Sequence, residues 1–394
     1  MKLFRPLSAI AVYLIFLAGA RAQSFTPGDL VVYRVGNGTA ALTNTATPIF
    51  LDEYNVSSPT SPALTIALPT SGGNLMSAEG TAVNEGQLSL SANGRYLAFT
   101  GYDEAVGGTK PSNTNPSTTQ RVAATMDING NLTYDLMGTT AFTTNNIRGA
   151  YTTNGSNIWV AGAGTGNTGS VWFTNGTGSP VQVLNTPATR YITAVNGQLL
   201  MNSGTNITAV GTGLPTVAGQ TTTSFNITTI TGNSAAFFVA DLSNTIAGPD
   251  TLYVTSTNST ANSFQKYTLT SGNFYTGTWV NNGNIALGTL GNGNGTLGLT
   301  GSTDLNGNVT IYGTSSSTLF DLVDTSGYNG ALTGTATVLA TAGTNEAFRG
   351  LAFAPTIPEP GETVLLLGGG ALLVASWRRR RRPTSQPQIA EIHA

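Results

Sequence analysis

Hydrophobic residues occur along this chain in short runs, separated by glycine, asparagine, serine and threonine. Within the runs, apolar residues are continuous or alternate with polar ones, and β-branched and aromatic side chains are frequent, as is typical of strands. The Asn-Gly dipeptides between runs tolerate the backbone angles of tight hairpin turns. No long amphipathic helical pattern interrupts this order between residues 23 and 355. The pattern predicts an all-β fold, with strands that include Leu30–Val35, Tyr96–Phe99, Ile147–Tyr151, Ile158–Ala161, Ala236–Ala240, Leu252–Thr255, Val309–Tyr312 and Phe348–Ala354.

The first longer apolar run, Leu7–Gly19, has the features of a secretory signal peptide. It follows the basic residues Lys2 and Arg5, and it precedes Ala20-Arg21-Ala22, an A-x-A cleavage motif. The sequence therefore predicts a signal helix within residues 1–22, with cleavage between Ala22 and Gln23. The alternative is an uncleaved anchor, for which the apolar run is short.

The second longer apolar run, Val364–Trp377, carries no charge and is preceded by two prolines that cannot continue a helix. A helix over this run is about 21 Å long, shorter than a hydrocarbon core of roughly 30 Å, but an interfacial tryptophan and snorkelling arginines reduce the difference. The run predicts a transmembrane helix, and a buried core helix with a charged end is the alternative. Five arginines follow it and are expected on the cytoplasmic side: Arg378, Arg379, Arg380, Arg381 and Arg382.

The order of Pro358-Glu359-Pro360, short apolar helix and arginine cluster resembles the PEP-CTERM sorting signal of Gram-negative bacteria. This resemblance covers residues 356–382. It implies an exosortase-type partner that recognises the Pro-Glu-Pro signal in the membrane and processes the protein for the cell surface. Members of the family usually end just after the basic cluster, whereas this chain continues through residues 383–394, which we expect to form a disordered tail. The resemblance implies a location, and it does not imply what residues 23–355 do.

A loose repeat of strand, Asn-Gly turn and strand recurs within residues 23–355. Its turns begin at Asn93, Asn154, Asn196 and Asn306, with a weaker copy near Gly232. Some of the intervals lie near the roughly 40–50 residues of one four-stranded blade, so the spacing predicts a β-propeller of six or seven blades. A β-solenoid and a β-sandwich are the alternatives.

The hairpin over residues 88–99 resembles a hairpin found in many bacterial propellers, in which the residues just before the first strand of a blade lie near the central axis. The two ends of the domain also favour a closed ring. A strand comes directly after the signal peptide and another directly before the sorting signal, where Phe348-Arg349-Gly350 repeats the pattern of Ile147-Arg148-Gly149. We predict that the N-terminal strand completes the last blade, because this would remove open sheet edges.

Composition narrows the chemistry of the exported domain. The chain has no cysteine, and its single histidine is His393 in the tail, so residues 23–355 lack disulfides, Ser-His-Asp triads and sites with cysteine or histidine ligands. Residues 23–357 contain eight basic and fifteen acidic residues, a net charge of −7. No basic stripe is present, which argues against nucleic-acid binding. We expect no cofactor.

Acidic and aromatic residues provide the remaining candidate chemistry. Two loops share the form Asp-x-Asn-Gly-Asn, and their side chains Asp127 and Asn129, or Asp304 and Asn306, are weak calcium candidates. The alternative is an aspartate that caps an Asn-Gly turn. Carboxylates for a glycosidase-type reaction would come from Asp52, Glu53, Glu79, Glu85, Asp103 and Glu104. Three tryptophans are expected in strand cores rather than on sugar-binding platforms: Trp159, Trp172 and Trp279.

The sequence favours a non-enzymatic surface or extracellular-matrix protein in which the propeller is a structural or interaction scaffold. A module that binds exopolysaccharide is the first alternative, and a carboxylate-based enzyme acting on polysaccharide is the second. No catalytic or metal site is predicted with a defined set of residues.

Overall fold

The computed structural model describes residues 24–225, 227, 230, 232–257, 264–291 and 295–357. The predictions for residues 1–22, for cleavage between Ala22 and Gln23, and for residues 358–394 lie outside this set. Within the described part of the chain, no helix has the length and apolar character needed to cross a membrane.

The described residues form antiparallel sheets connected by turns, with three short 3-10 helices at Pro111–Asn113, Thr165–Asn167 and Gly288–Gly291. Within the described residues, twenty-five strands, β1 to β25, follow one another. Their bounds are Leu30–Val35, Ala46–Tyr54, Leu64–Ala67, Ser77–Glu79, Ser89–Leu90, Tyr96–Tyr102, Arg121–Asp127, Leu132–Leu136, Ile147–Thr152, Ile158–Gly162, Ser170–Thr174, Val181–Leu184, Ile192–Val195, Gln198–Ser203, Asn206–Val210, Thr222–Ser224, Ser234–Ala240, Thr251–Ser256, Phe264–Ser271, Thr278–Ile285, Gly298–Thr303, Val309–Thr314, Thr318–Asp324, Thr337–Thr341 and Ala347–Phe353.

The sheets have the arrangement of a β-propeller. Four separate sheets contain four strands each, β9–β12, β13–β16, β17–β20 and β21–β24. A nine-stranded sheet contains β25, β1, β2 and β3 at one end, β5, β6, β7 and β8 at the other, and β4 between them. The first strands of neighbouring groups contact one another, since β25 contacts β5, β5 contacts β9, and β21 contacts both β17 and β25. The predicted all-β propeller arrangement is therefore confirmed.

The two ends of the described chain meet in one sheet. Strand β1 pairs along β25, with Leu30 opposite Phe353 and Val35 opposite Ala347. A buried arginine strengthens this junction: Arg34 on β1 contacts Asp52 on β2 at 2.5 Å and Glu346, just before β25, at 2.8 Å. The ring is thus closed by backbone pairing and by charge, as the sequence predicted for its N-terminal strand.

Most of the repeated turns connect the first and second strands of a four-strand group. Asn93, Asn154, Asn196 and Asn306 all lie in such turns. The assignment of Gly232 to this position is wrong, because it precedes β17, the first strand of its sheet. The first and second strands of a blade are both buried and apolar, so the local sequence pattern does not distinguish them. Only the pairing between strands shows which of the two a given run forms.

The hydrophobic core lies within and between neighbouring sheets. Phe264 on β19 packs edge-on against Phe320 on β23, with ring centroids 5.7 Å apart. Tyr191, directly before β13, packs in the same manner against Phe237 on β17 at 5.2 Å. A buried ion pair, Lys266 to Asp324 at 2.8 Å, also joins β19 to β23. Adjacent sheets are therefore held together by aromatic packing and by a charge pair.

Candidate functional site

The first strands approach one another so closely at their starting ends that glycine is required there. The backbone N–H of Gly350 donates to the carbonyl of Gly86 at 2.9 Å, and that of Gln87 donates to Arg148 at 2.9 Å. A Cβ atom on Gly350 would lie 2.7 Å from the Cα of Gln87, and one on Gly298 would lie 2.7 Å from the Cα of Gly350. Real Cβ atoms do not approach other atoms this closely, so these glycines allow the strands to close the axis.

Several ionisable side chains gather around this end of the axis. We call Glu85, Tyr102, Arg148, Arg190 and Arg349 the axial polar site. Glu85 lies shortly before β5, Arg148 and Arg349 lie near the starts of β9 and β25, and Arg190 lies just before β13. Tyr102 ends β6, the strand next to β5. First strands of different groups therefore bring together residues that are far apart in sequence.

Glu85 is a buried carboxylate with a full set of donors. Its Oε1 accepts hydrogen bonds from the Tyr102 hydroxyl and from Asn146 Nδ2, both at 2.6 Å. Its Oε2 accepts from the backbone N–H of Glu79 at 2.9 Å. Burial raises the pKa of Glu85 to about 7, although these three hydrogen bonds lower it. Its protonation state therefore changes near neutral pH.

Arg349 is almost fully buried, and backbone carbonyls satisfy its guanidinium. Nε donates to Ala82 at 3.0 Å, Nη2 to Gly80 at 2.9 Å and Nη1 to Phe348 at 2.9 Å. Burial lowers the pKa of Arg349 to about 10, and the charge of Glu85 opposes this change. The side chain links β25 to the loop after β4, which is a structural role.

Arg121, at the start of β7, also donates to several backbone carbonyls, most of them in the polar insertion that precedes it, although its Nε is buried without a partner among the described residues. Its Nη2 donates to the carbonyls of Ser112 and Thr114 at 3.0 Å and of Asn145 at 3.1 Å. Nη1 donates to Thr119 at 2.8 Å. The insertion over residues 107–119 is thus fixed onto the edge of the axial polar site by one arginine.

Arg148 and Arg190 differ from these arginines because they have few partners. Both side chains are half-buried. Arg148 Nη1 donates one long hydrogen bond, 3.4 Å, to the carbonyl of Thr189, and Arg148 Nε is buried without a partner among the described residues. Neither arginine lies within ion-pair distance of a described carboxylate. Burial and the charge of Arg190 lower the pKa of Arg148 to about 10, and burial also lowers the pKa of Arg190.

The weak calcium candidates have their carboxylates engaged inside their own turns. Asp127 Oδ1 accepts from the backbone of Asn129 at 2.9 Å, and its Oδ2 accepts from the Asn131 side chain at 2.8 Å. Asp304 makes the equivalent bonds to Asn306 and Asn308, both at 2.8 Å. Among the described residues, no group of three or more acidic or histidine side chains is arranged to hold a metal ion. These contacts are those of capped Asn-Gly turns.

Four of the six acidic residues considered for a glycosidase-type reaction are engaged in structural contacts, whereas Glu104 Oε2 is buried without a partner among the described residues. Asp52 is paired with Arg34. Glu53 accepts from the backbone of Thr26, and Glu79 accepts from the Ser112 hydroxyl. Glu79 and Glu85 come close together, and both are buried and hydrogen-bonded within the protein. This geometry offers no exposed pair of carboxylates across a cleft at these positions.

The tryptophans predicted in strand cores are buried. Trp159 and Trp279 are each 2% exposed, and Trp172 is 6% exposed. Each indole N–H donates to a backbone carbonyl, that of Pro215, Phe274 and Thr168 respectively. The core assignment is confirmed, and these three rings do not form a surface platform.

Sequence reasoning considered Glu85 only as a candidate acid and did not identify the axial polar site. A usable signal was present in the repeated Arg-Gly at Arg148-Gly149 and Arg349-Gly350. In each pair the glycine lies at the axis and the arginine lies next to it. The expectation that residues before a first strand lie near the axis also applies to Glu85 and Arg190.

Comparison with known protein families found no matching family, and comparison with curated protein sequences found no match. Among solved structures, the chain resembles apo AztD from Citrobacter koseri, with a TM-score of 0.36 and 10% sequence identity. The similarity covers 84% of this chain and 99% of that chain. A likeness of this degree carries no functional argument, so the fold assignment depends on the sheet topology described above.

Proposed function

We propose that this protein is an exported, six-bladed β-propeller that serves as an interaction scaffold at the cell surface. It would be held in the membrane, and then sorted, through its C-terminal Pro-Glu-Pro signal. The observation that carries the proposal is the position of Phe25 and Thr356, near the two ends of the described residues, on the face of the domain opposite to the axial polar site.

The count of first strands supports our proposal of six blades. Four groups are the separate four-stranded sheets, and the two ends of the nine-stranded sheet supply the others, β25 with β1–β3 and β5 with β6–β8. Strand β4 joins these two groups by short pairings with β2 and β6. In this proposal β25 is a first strand, and the six innermost strands would be β5, β9, β13, β17, β21 and β25.

The two ends of the paired strands β6 and β7 mark the two faces of the propeller. At one end of the pair, Tyr102 lies opposite Arg121, beside the axial polar site. At the other end, Tyr96 lies opposite Asp127. Six residue steps separate these ends, which corresponds to about 20 Å along a strand.

Both ends of the described chain contact the second of these faces. The backbone of Phe25 donates to the carbonyl of Ile128 at 2.8 Å, in the turn that follows β7. The backbone of Thr356 donates to Gly94 at 2.7 Å, in the turn that precedes β6. The sequence continues from here to Pro358. A membrane anchor that follows Ile357 would therefore leave the face with the axial polar site directed away from the bilayer.

The internal contacts support a scaffold more than a carboxylate-based enzyme. The candidate carboxylates Asp52, Glu79 and Glu85 fix strands and loops to one another. A ring closed by paired strands and a buried arginine is a stable base for exposed loops, which is what an interaction protein requires. An exosortase-type enzyme would be the sorting partner, and the surface would be the destination.

The test is the location and C-terminal mass of the protein in its native host. We would compare the wild type with a variant in which Pro358, Glu359 and Pro360 are alanine. A control variant carries alanine at Ser385, Gln386 and Pro387 in the tail. We expect the wild type and the control to lose residues after the signal and to reach the surface, while the signal variant stays in the membrane with its C-terminus intact. An intact C-terminus through Ala394 in all three proteins would refute the sorting proposal.

A further inference from the structure

We infer that Arg148 and Arg190 form a binding site for an oxyanion, a carboxylate or phosphate group carried by a ligand that approaches the axial face. The inference does not depend on how the chain is sorted. It follows from a comparison of these two arginines with the other buried cations of the domain.

The other buried cations are each held from within the protein by ion pairs or by several hydrogen bonds. Arg34 pairs with Asp52 and Glu346, and Lys266 pairs with Asp324. Arg121 and Arg349 donate to three or more backbone carbonyls each. Each of these four cations therefore has at least three polar partners among the described residues, although Arg121 Nε, like Arg148 Nε, is buried without one.

Arg148 and Arg190 have fewer partners than these four cations. Arg148 makes a single long hydrogen bond, and its Nε has no partner among the described residues. No described carboxylate forms an ion pair with either side chain. Removing charge from water without a partner is unfavourable, so this arrangement is costly unless a ligand supplies the missing negative charge.

The two arginines are also close enough to repel each other. Arg148 Nη1 donates to the carbonyl of Thr189, the residue directly before Arg190. The carbonyl of Arg190 would lie 3.3 Å from a Cβ on Gly149. The charge of Arg190 accordingly opposes ionisation of Arg148. An oxyanion between them would reverse this repulsion, and the guanidinium fork matches carboxylate and phosphate oxygens.

The neighbouring acid does not compensate these charges. Glu85 is the carboxylate that interacts with Arg148 through its charge, but its oxygens are occupied by Tyr102, Asn146 and the backbone of Glu79. Burial also favours the neutral form of Glu85 up to a pH of about 7. Positive charge therefore remains available on the face opposite to Phe25 and Thr356.

The experiment measures the thermal stability and anion affinity of the purified full-length chain in detergent. The probes are sodium glucuronate and inorganic phosphate at constant ionic strength, with glucose as the neutral control. The variants are Arg148→Gln and Arg190→Gln. Arg95→Gln is the matched control, since Arg95 is exposed in the turn between β5 and β6 on the opposite face.

We expect glucuronate, phosphate or both to raise the melting temperature of the wild type and of Arg95→Gln, because a ligand that binds the folded state stabilises it. Affinity should fall about ten- to a hundredfold in either axial variant, the usual effect of losing a hydrogen bond to a charged group. Without anion, Arg190→Gln should melt above the wild type because the repulsion is removed. A response to glucuronate alone would identify a carboxylate ligand, and a response to phosphate alone a phosphate ligand.

Absence of any response to both anions would overturn the inference, as would equal affinities of the wild type and the axial variants. If Arg148→Gln does not fold, Arg190→Gln still decides the question. The Arg190 side chain has no hydrogen bond to another described residue, so its replacement removes no such contact from the fold.

Discussion

Glutamine at position 85 should change how the stability of this protein depends on pH. Burial raises the pKa of Glu85 from 4.5 to about 7 in the folded state. A group whose pKa is raised by folding contributes stability that is fully present below its unfolded pKa and is lost as the pH rises through its folded pKa. The relevant window is therefore from about pH 4.5 to about pH 7.

The size of the effect follows from the same shift. Each pKa unit corresponds to about 1.4 kcal/mol, so the wild type should lose about 3 kcal/mol across this window through Glu85 alone. Glu85→Gln has no proton to lose. The unfolding free energy of the variant minus that of the wild type should therefore rise by about 3 kcal/mol between low and high pH. Other titrating groups are shared by both proteins and cancel in the difference.

The assay is denaturant unfolding of both purified proteins at several pH values between 4 and 8.5, followed by tryptophan fluorescence. Tyr102→Phe supplies a second measurement. It removes a donor to the Glu85 carboxylate, which should raise the pKa of Glu85 further and move the upper end of the window to higher pH. A stability difference between wild type and Glu85→Gln that stays constant with pH would refute the reasoning. It would mean that the nearby guanidiniums keep this buried carboxylate ionised.

Two further substitutions test how the blades are held together. Lys266→Met should lower the unfolding free energy by about 3–5 kcal/mol, because it leaves the carboxylate of Asp324 buried without its cation. Lys110→Met, at a partly exposed lysine, should change it little in the same chemical denaturation, and equal effects of both would contradict this reasoning. Gly350→Ala should cost about 3 kcal/mol or prevent folding, since its Cβ would meet backbone atoms at the axis. Gly73→Ala, where nothing lies within 4 Å, should stay within about 1 kcal/mol of the wild type in the same assay, and a similar loss in both would refute the close-packing argument.

The local pattern of the sequence was sufficient to predict the strands and the type of fold. Runs such as Leu30–Val35 and Val309–Thr314 are strands because β-branched residues fill them and turn formers bound them. The positions of Asn93, Asn154 and Asn306 were enough to locate hairpins, because Asn-Gly favours tight turns irrespective of what surrounds them. Closure of the ring by the N-terminal strand was also predictable, since both ends of the domain carry strand patterns.

The axial polar site could not be predicted because it depends on contacts between distant parts of the chain. Glu85, Arg148 and Arg349 meet only when β5, β9 and β25 pack around one axis. The sequence also did not indicate which arginines have several carbonyl partners, as Arg349 does, and which have a single long hydrogen bond, as Arg148 does. Local propensity and period act over a few residues and so determine strands and turns. Burial, charge pairing and pKa are set by neighbours from other blades, and only the tertiary structure brings those neighbours together.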